Sequence, residues 1–213
     1  MGGMIPLGDA SRRPRRWPLV TVLLIVVNAY VFTRELMYGD SFVFTWSAIP
    51  AQITSGHAWL TLLTAMFMHA SWLHIISNMI FFWAFGPTIE DAMGRGRFLA
   101  FYLVGGLVAM LAQIAAAPTS TVPNLGASGA IAAVMGAFLV TYPRDRIKIA
   151  LFFLIFVRIT FVPASLLIGF WFLMQLFSAG AVTQNVQTGG VAYLAHIGGF
   201  VFGVVTGRMW KRR

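Results

Sequence analysis

Four residues of this chain have the types and spacing for acyl-transfer chemistry: Ser128, His196, His74 and Asn78. Ser128 stands in Asn124-Leu125-Gly126-Ala127-Ser128-Gly129-Ala130, where an uncharged polar loop runs into an apolar helix. Small neighbours leave its hydroxyl accessible, and a helix start leaves its own N–H without an intrahelical carbonyl. That is the posture of a nucleophile, and equally of an ordinary helix N-cap. Serine becomes nucleophilic when a base takes its proton, and a neutral histidine is the minimal base. His196 fits that part, and His74, Asn78 and the Ser128 N–H could donate to negative charge developing on a carbonyl oxygen. No Asp or Glu is expected at their level, so the group reads as a dyad without a third, orienting carboxylate. The loop differs from the soluble-hydrolase elbow G-x-S-x-G, because position 130 is Ala.

The elements that must carry these residues are set by the solvent. With 59% hydrophobic and 10% charged residues and a mean hydropathy of +0.80, the chain belongs in a bilayer. Its 213 residues suit about six spans of roughly 20 residues with short loops. The absence of cysteine excludes disulfides, thiolate metal sites and cysteine nucleophiles. The net charge of +9 sits between or beyond apolar runs and reads as a topology signal, not a nucleic-acid surface.

The expected spans follow from those runs. Arg12, Arg13, Arg15 and Arg16 precede the first, about Trp17 to Phe32, which reads as a retained signal-anchor helix ending at Arg34-Glu35 and Asp40. Residues 41–72, with Trp46, Trp59, Trp72, Pro50 and Gly56, hold no uninterrupted span and read as a long interfacial loop; His57 within it has no visible partner. Span two runs from about Leu73 to Thr88, stopped by Glu90-Asp91 and the turn Gly94-Arg95-Gly96-Arg97. Span three is about Phe98–Ala117, closed by Pro118, and span four runs from Ser128 to Tyr142. Residues 147–162 carry Lys148 and Arg158 and read as interfacial. Span five runs from Pro163 to about Phe177, an uncharged loop covers 179–190, and span six is about Val191–Met209. The termini and the loops after spans two and four hold 14 of the 15 Lys and Arg residues, leaving only Arg34 opposite. By the positive-inside rule the termini are cytoplasmic and Ser128 approaches from the outer side.

Helical rise then gives depth. Ser128 lies about 24 Å above the boundary marked by Arg144, His74 about 24 Å above Glu90, Asn78 about 18 Å, and His196 about 22 Å above Lys211. Four polar side chains on three spans share one level, sunk roughly 6–12 Å below the outer surface of an about 30 Å core. Isolated polar groups there are costly and need partners or water. Small-residue rows at Ser128, Ala132 and Gly136 and at His196, Gly199, Gly203 and Gly207 predict close packing of spans four and six. Metal binding by His69, His74 and His196 is disfavoured, because His69 and His74 are five residues apart and no intramembrane carboxylate or HExxH accompanies them. No cofactor or metal is expected.

The three motifs Gly126-Ala127-Ser128-Gly129, Ala195-His196-Ile197-Gly198-Gly199, and Met68-His69-Ala70-Ser71-Trp72-Leu73-His74 leading to Asn78 resemble those of the rhomboid intramembrane serine proteases. The resemblance covers about residues 17–209. It implies an all-α, six-span bundle in the cell membrane, basic tails at 1–16 and 210–213, and a serine endopeptidase acting on transmembrane protein substrates near their outer boundary. It implies Ser128 as nucleophile, His196 as general base, His74 and Asn78 as oxyanion donors, and His69 as a structural loop residue. Some relatives stack a tyrosine from the nucleophile's helix on the base; here that face carries Ala132, so the histidine must be oriented from elsewhere. Some also carry a Trp-Arg pair in the first outer loop, where here Leu60 follows Trp59. Span five, with Phe170, Trp171 and Phe172, is expected to border a lateral route for substrate. The alternative from another class is an inactive rhomboid-like protein that binds and escorts membrane clients. A channel or transporter lacks the internal repeats and charged pathway residues such proteins use.

Overall fold

The computed structural model describes residues 3–153, 156–182 and 192–211. Its helices are α1 (Leu19–Tyr38), α2 (Asp40–Trp46), α3 (Pro50–Thr54), α4 (Thr61–Thr64), α5 (Trp72–Met93), α6 (Arg95–Ala116), α7 (Ser128–Thr141), α8 (Ala164–Val182) and α9 (Tyr193–Thr206). Short 3-10 turns occupy Ala65–Phe67 and Gly207–Trp210. Among the described residues, α1, α5 and α6 are long and apolar enough to cross a membrane, and α7 and α8 are apolar helices of which shorter stretches qualify by composition. Residues 183–190 of the expected loop and position 191, the expected start of span six, lie outside the described residues.

The helices run past charges expected to end them. Arg34 and Glu35 fall inside α1, and Glu90 and Asp91 inside α5. The reason is that Glu35 and Glu90 find buried donors. Glu90 is 3% exposed and accepts the N–H groups of Val20 and Thr21 at 3.0 and 2.8 Å and the Thr21 hydroxyl at 2.8 Å. It therefore caps the N-terminus of α1, whose Pro18 offers no capping side chain. Glu35 is likewise buried and accepts the His69 N–H. The turn between α5 and α6 shrinks to Gly94, whose φ of 80° is the left-handed conformation that glycine adopts without strain.

The chain is mostly helical but not wholly so, which corrects the all-α expectation. The strands β1 (Gly3–Asp9), β2 (Arg146–Phe153) and β3 (Phe156–Pro163) form an antiparallel sheet in the order β1-β2-β3. Strand β2 alternates: Ile147 and Ile149 are buried in the main core, while Arg146 and Lys148 point outward. That period of two turns one face of the strand to the helices and keeps the charges wet. Pro6 is tolerated because β1 lies at the sheet edge, beside a register shift between Pro6 and Gly8. Arg12 forms an ion pair with Asp145 and lies over the Tyr142 ring at 4.0 Å, fastening the segment after β1 to the end of α7.

Residues 41–72 hold only short helices, as their broken apolar pattern requires. Trp59 and Trp72 are exposed. The central packing is that of α7 against α6 and α9, around Phe101, Tyr102, Ala130, Ala133, Val134 and Phe138. A Cβ added at Gly199 would lie 2.1 Å from the Gly129 carbonyl oxygen, and one at Gly203 2.0 Å from that of Ala133. The two helix backbones are thus in direct contact, as small-residue rows allow. On α7 the contacting residues are the expected Gly136 together with Gly129, Ala133 and Ala137, which stand one position beyond the expected Ser128 and Ala132. That rotation leaves Ser128 beside the seam instead of inside it.

Candidate active site

The loop before α7 is pinned at both its turns. Ala48 and Asn124 exchange backbone hydrogen bonds at 2.9 Å, and the Gly126 N–H donates to the Ala65 carbonyl at 2.9 Å. Gly126 adopts φ 131°, and a Cβ there would meet the His74 ring at 3.1 Å and Ser128 Oγ at 3.5 Å. One small space is therefore lined by the Ser128 hydroxyl and the His74 imidazole, and only glycine leaves it open.

Ser128 is the first residue of α7, with Ala127 in the N-cap position and no side-chain cap. Its hydroxyl does not return to the helix as an N-cap would. It lies 2.7 Å from Nε2 of His196. His196 is 7% exposed on α9 and is held from the opposite side, its Nδ1 lying 2.7 Å from Oε1 of Gln175 on α8. Because that oxygen can only accept, Nδ1 carries the proton and Nε2 is left to accept from Ser128. The Gln175 amide is itself oriented by its NH₂ group, which donates to the Trp171 carbonyl one turn earlier at 3.4 Å.

Aromatic rings complete the surroundings of the imidazole. Trp171 packs on it with centroids 5.8 Å apart, and Tyr193 approaches edge-on at 6.4 Å. Ala132 is fully buried, so the support sought in place of a tyrosine on α7 comes from α8. Of the three aromatic residues expected to face a substrate route, Phe170 is exposed. Trp171 turns toward His196, and Phe172 stacks on Phe200 at 4.2 Å.

His74 and Asn78 lie one turn apart on α5, which Ser71 caps by accepting the His74 N–H at 3.2 Å. The Nδ1 atom of His74 accepts from the Ala70 N–H at 3.4 Å, which assigns its proton to Nε2 on the side of Gly126 and Ser128. Asn78 is 8% exposed, and its NH₂ group is a buried donor without an acceptor among the described residues. An unpaired donor of this kind is what charge developing on a substrate oxygen requires. A cavity of about 20 Å³ lies behind the serine, bounded by Gly106, Asn124, Gly126, Ser128 and Ala195, with room for about one water.

His69 stands outside this arrangement. The residue is 1% exposed, its ring edge-on to His74 at 5.0 Å, and neither ring nitrogen has a hydrogen-bond partner among the described residues. Burial, followed by the proximity of His74, pushes it down to about 3, so it is neutral through the physiological range. The Glu35 carboxylate accepts the His69 N–H and bonds neither Ser128 nor His196. His57 is exposed; its ring nitrogen lies 3.3 Å from the Ser55 hydroxyl and its N–H donates to the Gln52 carbonyl at 2.9 Å. No group of three His, Asp or Glu able to hold a metal occurs among the described residues.

Sequence reasoning missed Gln175, although a signal was present. It interrupts an apolar span 12 residues beyond Pro163, about 18 Å along the helix, at the level already assigned to Asn78 and close to that of His196. It missed Gln113 as well, whose Oε1 accepts the Ala195 N–H at 3.2 Å and fixes the start of α9 next to His196.

The rhomboid domain family model matches residues 56–213. The chain is 32% identical over 133 residues to "Rhomboid protease GluP" of Bacillus subtilis, covering 61% of this chain and 26% of the relative. It is 33% identical over 117 residues to "Rhomboid protease GlpG" of Pectobacterium atrosepticum, covering 55% and 41%. It is 27% identical over 152 residues to "Rhomboid protein 1, mitochondrial" of Saccharomyces cerevisiae, covering 70% and 41%. The chain thus spans less than half the length of these relatives. With apolar helices of membrane-crossing length and a match over most of its residues, this multi-pass integral membrane protein belongs to the rhomboid family.

Proposed function

We propose that the protein is an intramembrane serine endopeptidase that cleaves transmembrane protein substrates near the outer boundary of the cell membrane. The observation that carries this reading is the 2.7 Å separation of Ser128 Oγ and His196 Nε2 on two helices in backbone contact. In this reading α1, α5, α6, α7, α8 and α9 are the six spans, residues 17–209 form the membrane core, and the basic segments 1–16 and 210–213 lie on the cytoplasmic side.

The chemistry needs no cofactor. Ser128 Oγ attacks the scissile carbonyl carbon as its proton passes to His196 Nε2. The carbonyl oxygen takes the negative charge and is met by the His74 Nε2–H, the Asn78 amide and the Ser128 N–H. Collapse breaks the C–N bond, and His196 returns the proton to the leaving amine. Water then attacks the acyl-serine, giving one proton to Nε2, and the serine leaves with it. The buried donors favour the oxyanion over the ground-state carbonyl, which is where rate is gained.

A fluorophosphonate probe with gel fluorescence tests the reading. Wild type should label, whereas Ser128→Ala and His196→Ala should not, and cleavage of a single-span reporter should follow the same pattern. Equal labelling of all three, or a wild type that binds membrane clients without labelling or cutting them, would replace this reading with an escort function. Substrate is proposed to approach past α8; cross-linking α8 to α5 should stop cleavage while sparing the small probe, and unchanged cleavage would remove that route.

A further inference from the structure

We infer that Gln175 is the positioning residue of this site, making a Ser128–His196–Gln175 relay in which a neutral amide does the orienting that an aspartate does in soluble serine hydrolases. The inference rests on the proposed Ser128–His196 chemistry and deepens it.

Three observations converge on this role. The first is linearity of function: one imidazole is bonded at both nitrogens, to Ser128 Oγ and to Gln175 Oε1, each at 2.7 Å. A free imidazole divides between two tautomers, and only the one with the proton on Nδ1 can take a proton from Ser128. An acceptor fixed at Nδ1 selects that tautomer before substrate arrives. The second is that Gln175 cannot flip without loss. Its NH₂ group donates to the Trp171 carbonyl, and a reversed amide would lose that bond and set its oxygen against the Trp171 carbonyl oxygen. The third is that Trp171 and Gln175, one turn apart on α8, hold the ring by packing and by hydrogen bond respectively.

The choice of an amide has a physical reason. A carboxylate within the membrane would carry the cost of a buried charge whenever the histidine is neutral, which is the resting state of a general base. An amide oxygen accepts the same hydrogen bond with no net charge. It stabilises the imidazolium of the transition state less than an aspartate would, and costs less while the enzyme waits.

The test replaces Gln175 by Met, which keeps length and volume and removes the acceptor, and by Glu, which keeps the acceptor. Replacing a properly oriented partner so that the wrong tautomer is present costs about 10⁴ in kcat where the partner is a carboxylate. For a neutral amide we expect Gln175→Met to lower kcat on a single-span reporter, and the fluorophosphonate labelling rate, by about 10- to 100-fold. KM should stay within about twofold, since Gln175 meets the base and not the substrate. Gln175→Glu should recover most of the loss. A ¹⁵N spectrum of His196 in lipid nanodiscs supplies a readout independent of turnover: Nδ1-protonated imidazole in wild type and Gln175→Glu, a tautomer mixture in Gln175→Met. Wild-type rate and an unchanged spectrum in Gln175→Met would overturn the role of Gln175 alone. Equal losses in Met and Glu variants with an unchanged spectrum would reduce it to helix packing. A wild type inert to probe and reporter would instead overturn the underlying reading of the site.

Discussion

The contact between α7 and α9 sets the distance between the two reacting side chains, so a single methyl group placed there should separate them. Gly199 lies one turn beyond His196 and faces Gly129, the neighbour of Ser128. In Gly199→Ala the new Cβ would lie 2.1 Å from the Gly129 carbonyl oxygen and 3.0 Å from its carbon, against a practical limit of 3.0 Å for Cβ contacts. Both obstructing atoms are backbone, so no side chain can swing away. Relief requires the helices to part by at least about 0.9 Å, which would stretch the Ser128–His196 bond from 2.7 Å to about 3.6 Å, beyond hydrogen-bond range. A displacement of this size costs reactivity about 100-fold, and the overpacking itself costs about 1–3 kcal/mol. The assay is the time course of fluorophosphonate labelling, read beside thermal unfolding in the same detergent. Gly203→Ala, one turn further from the dyad and equally obstructed, should lose similar stability and less reactivity. Gly96→Ala, which meets nothing within 4 Å, should lose neither. A folded Gly199→Ala protein labelling at the wild-type rate would refute the claim that this seam sets the active distance.

Two further outcomes follow from buried polar groups. Glu90→Ala removes the acceptor of two α1 N–H groups and the Thr21 hydroxyl, and should destabilise the protein by about 2–3 kcal/mol in mixed-micelle unfolding while labelling per folded molecule is retained. Asn78→Ala deletes a donor that is unpaired among the described residues, so cleavage should slow by about 10²- to 10³-fold with little loss in unfolding midpoint, and a variant as fast as wild type would remove Asn78 from the oxyanion site.

Much of the architecture was legible along the chain because a bilayer punishes polar backbone and charge wherever they are unpaired. Composition specified the solvent, apolar runs placed the helices within a few residues, and helical rise put Ser128, His74, Asn78 and His196 at one level. The small residues of α7 and α9 announced close approach. The same rules misjudged Glu35 and Glu90, read as helix ends, because a carboxylate stops a span only if nothing in the protein can receive it. They also passed over β2 and β3, although Arg146-Ile147-Lys148-Ile149 alternates with the period of a strand.

What the sequence determined, then, is which residues share a depth; what the tertiary structure decided is which of them touch. Level is a local property, the product of residue number and rise along one helix. Contact depends on the rotation of each helix about its axis, which a one-residue change in the packing row alters by about 100°. On α7 that rotation put Gly129, Ala133 and Ala137 against α9 and left Ser128 beside the seam, while the packing of α8 on α9 brought Gln175 to the far side of the His196 ring. Gln175, Glu90 and Glu35 have partners 21, 69 to 70 and 34 residues away in the chain, beyond any periodicity that links neighbours.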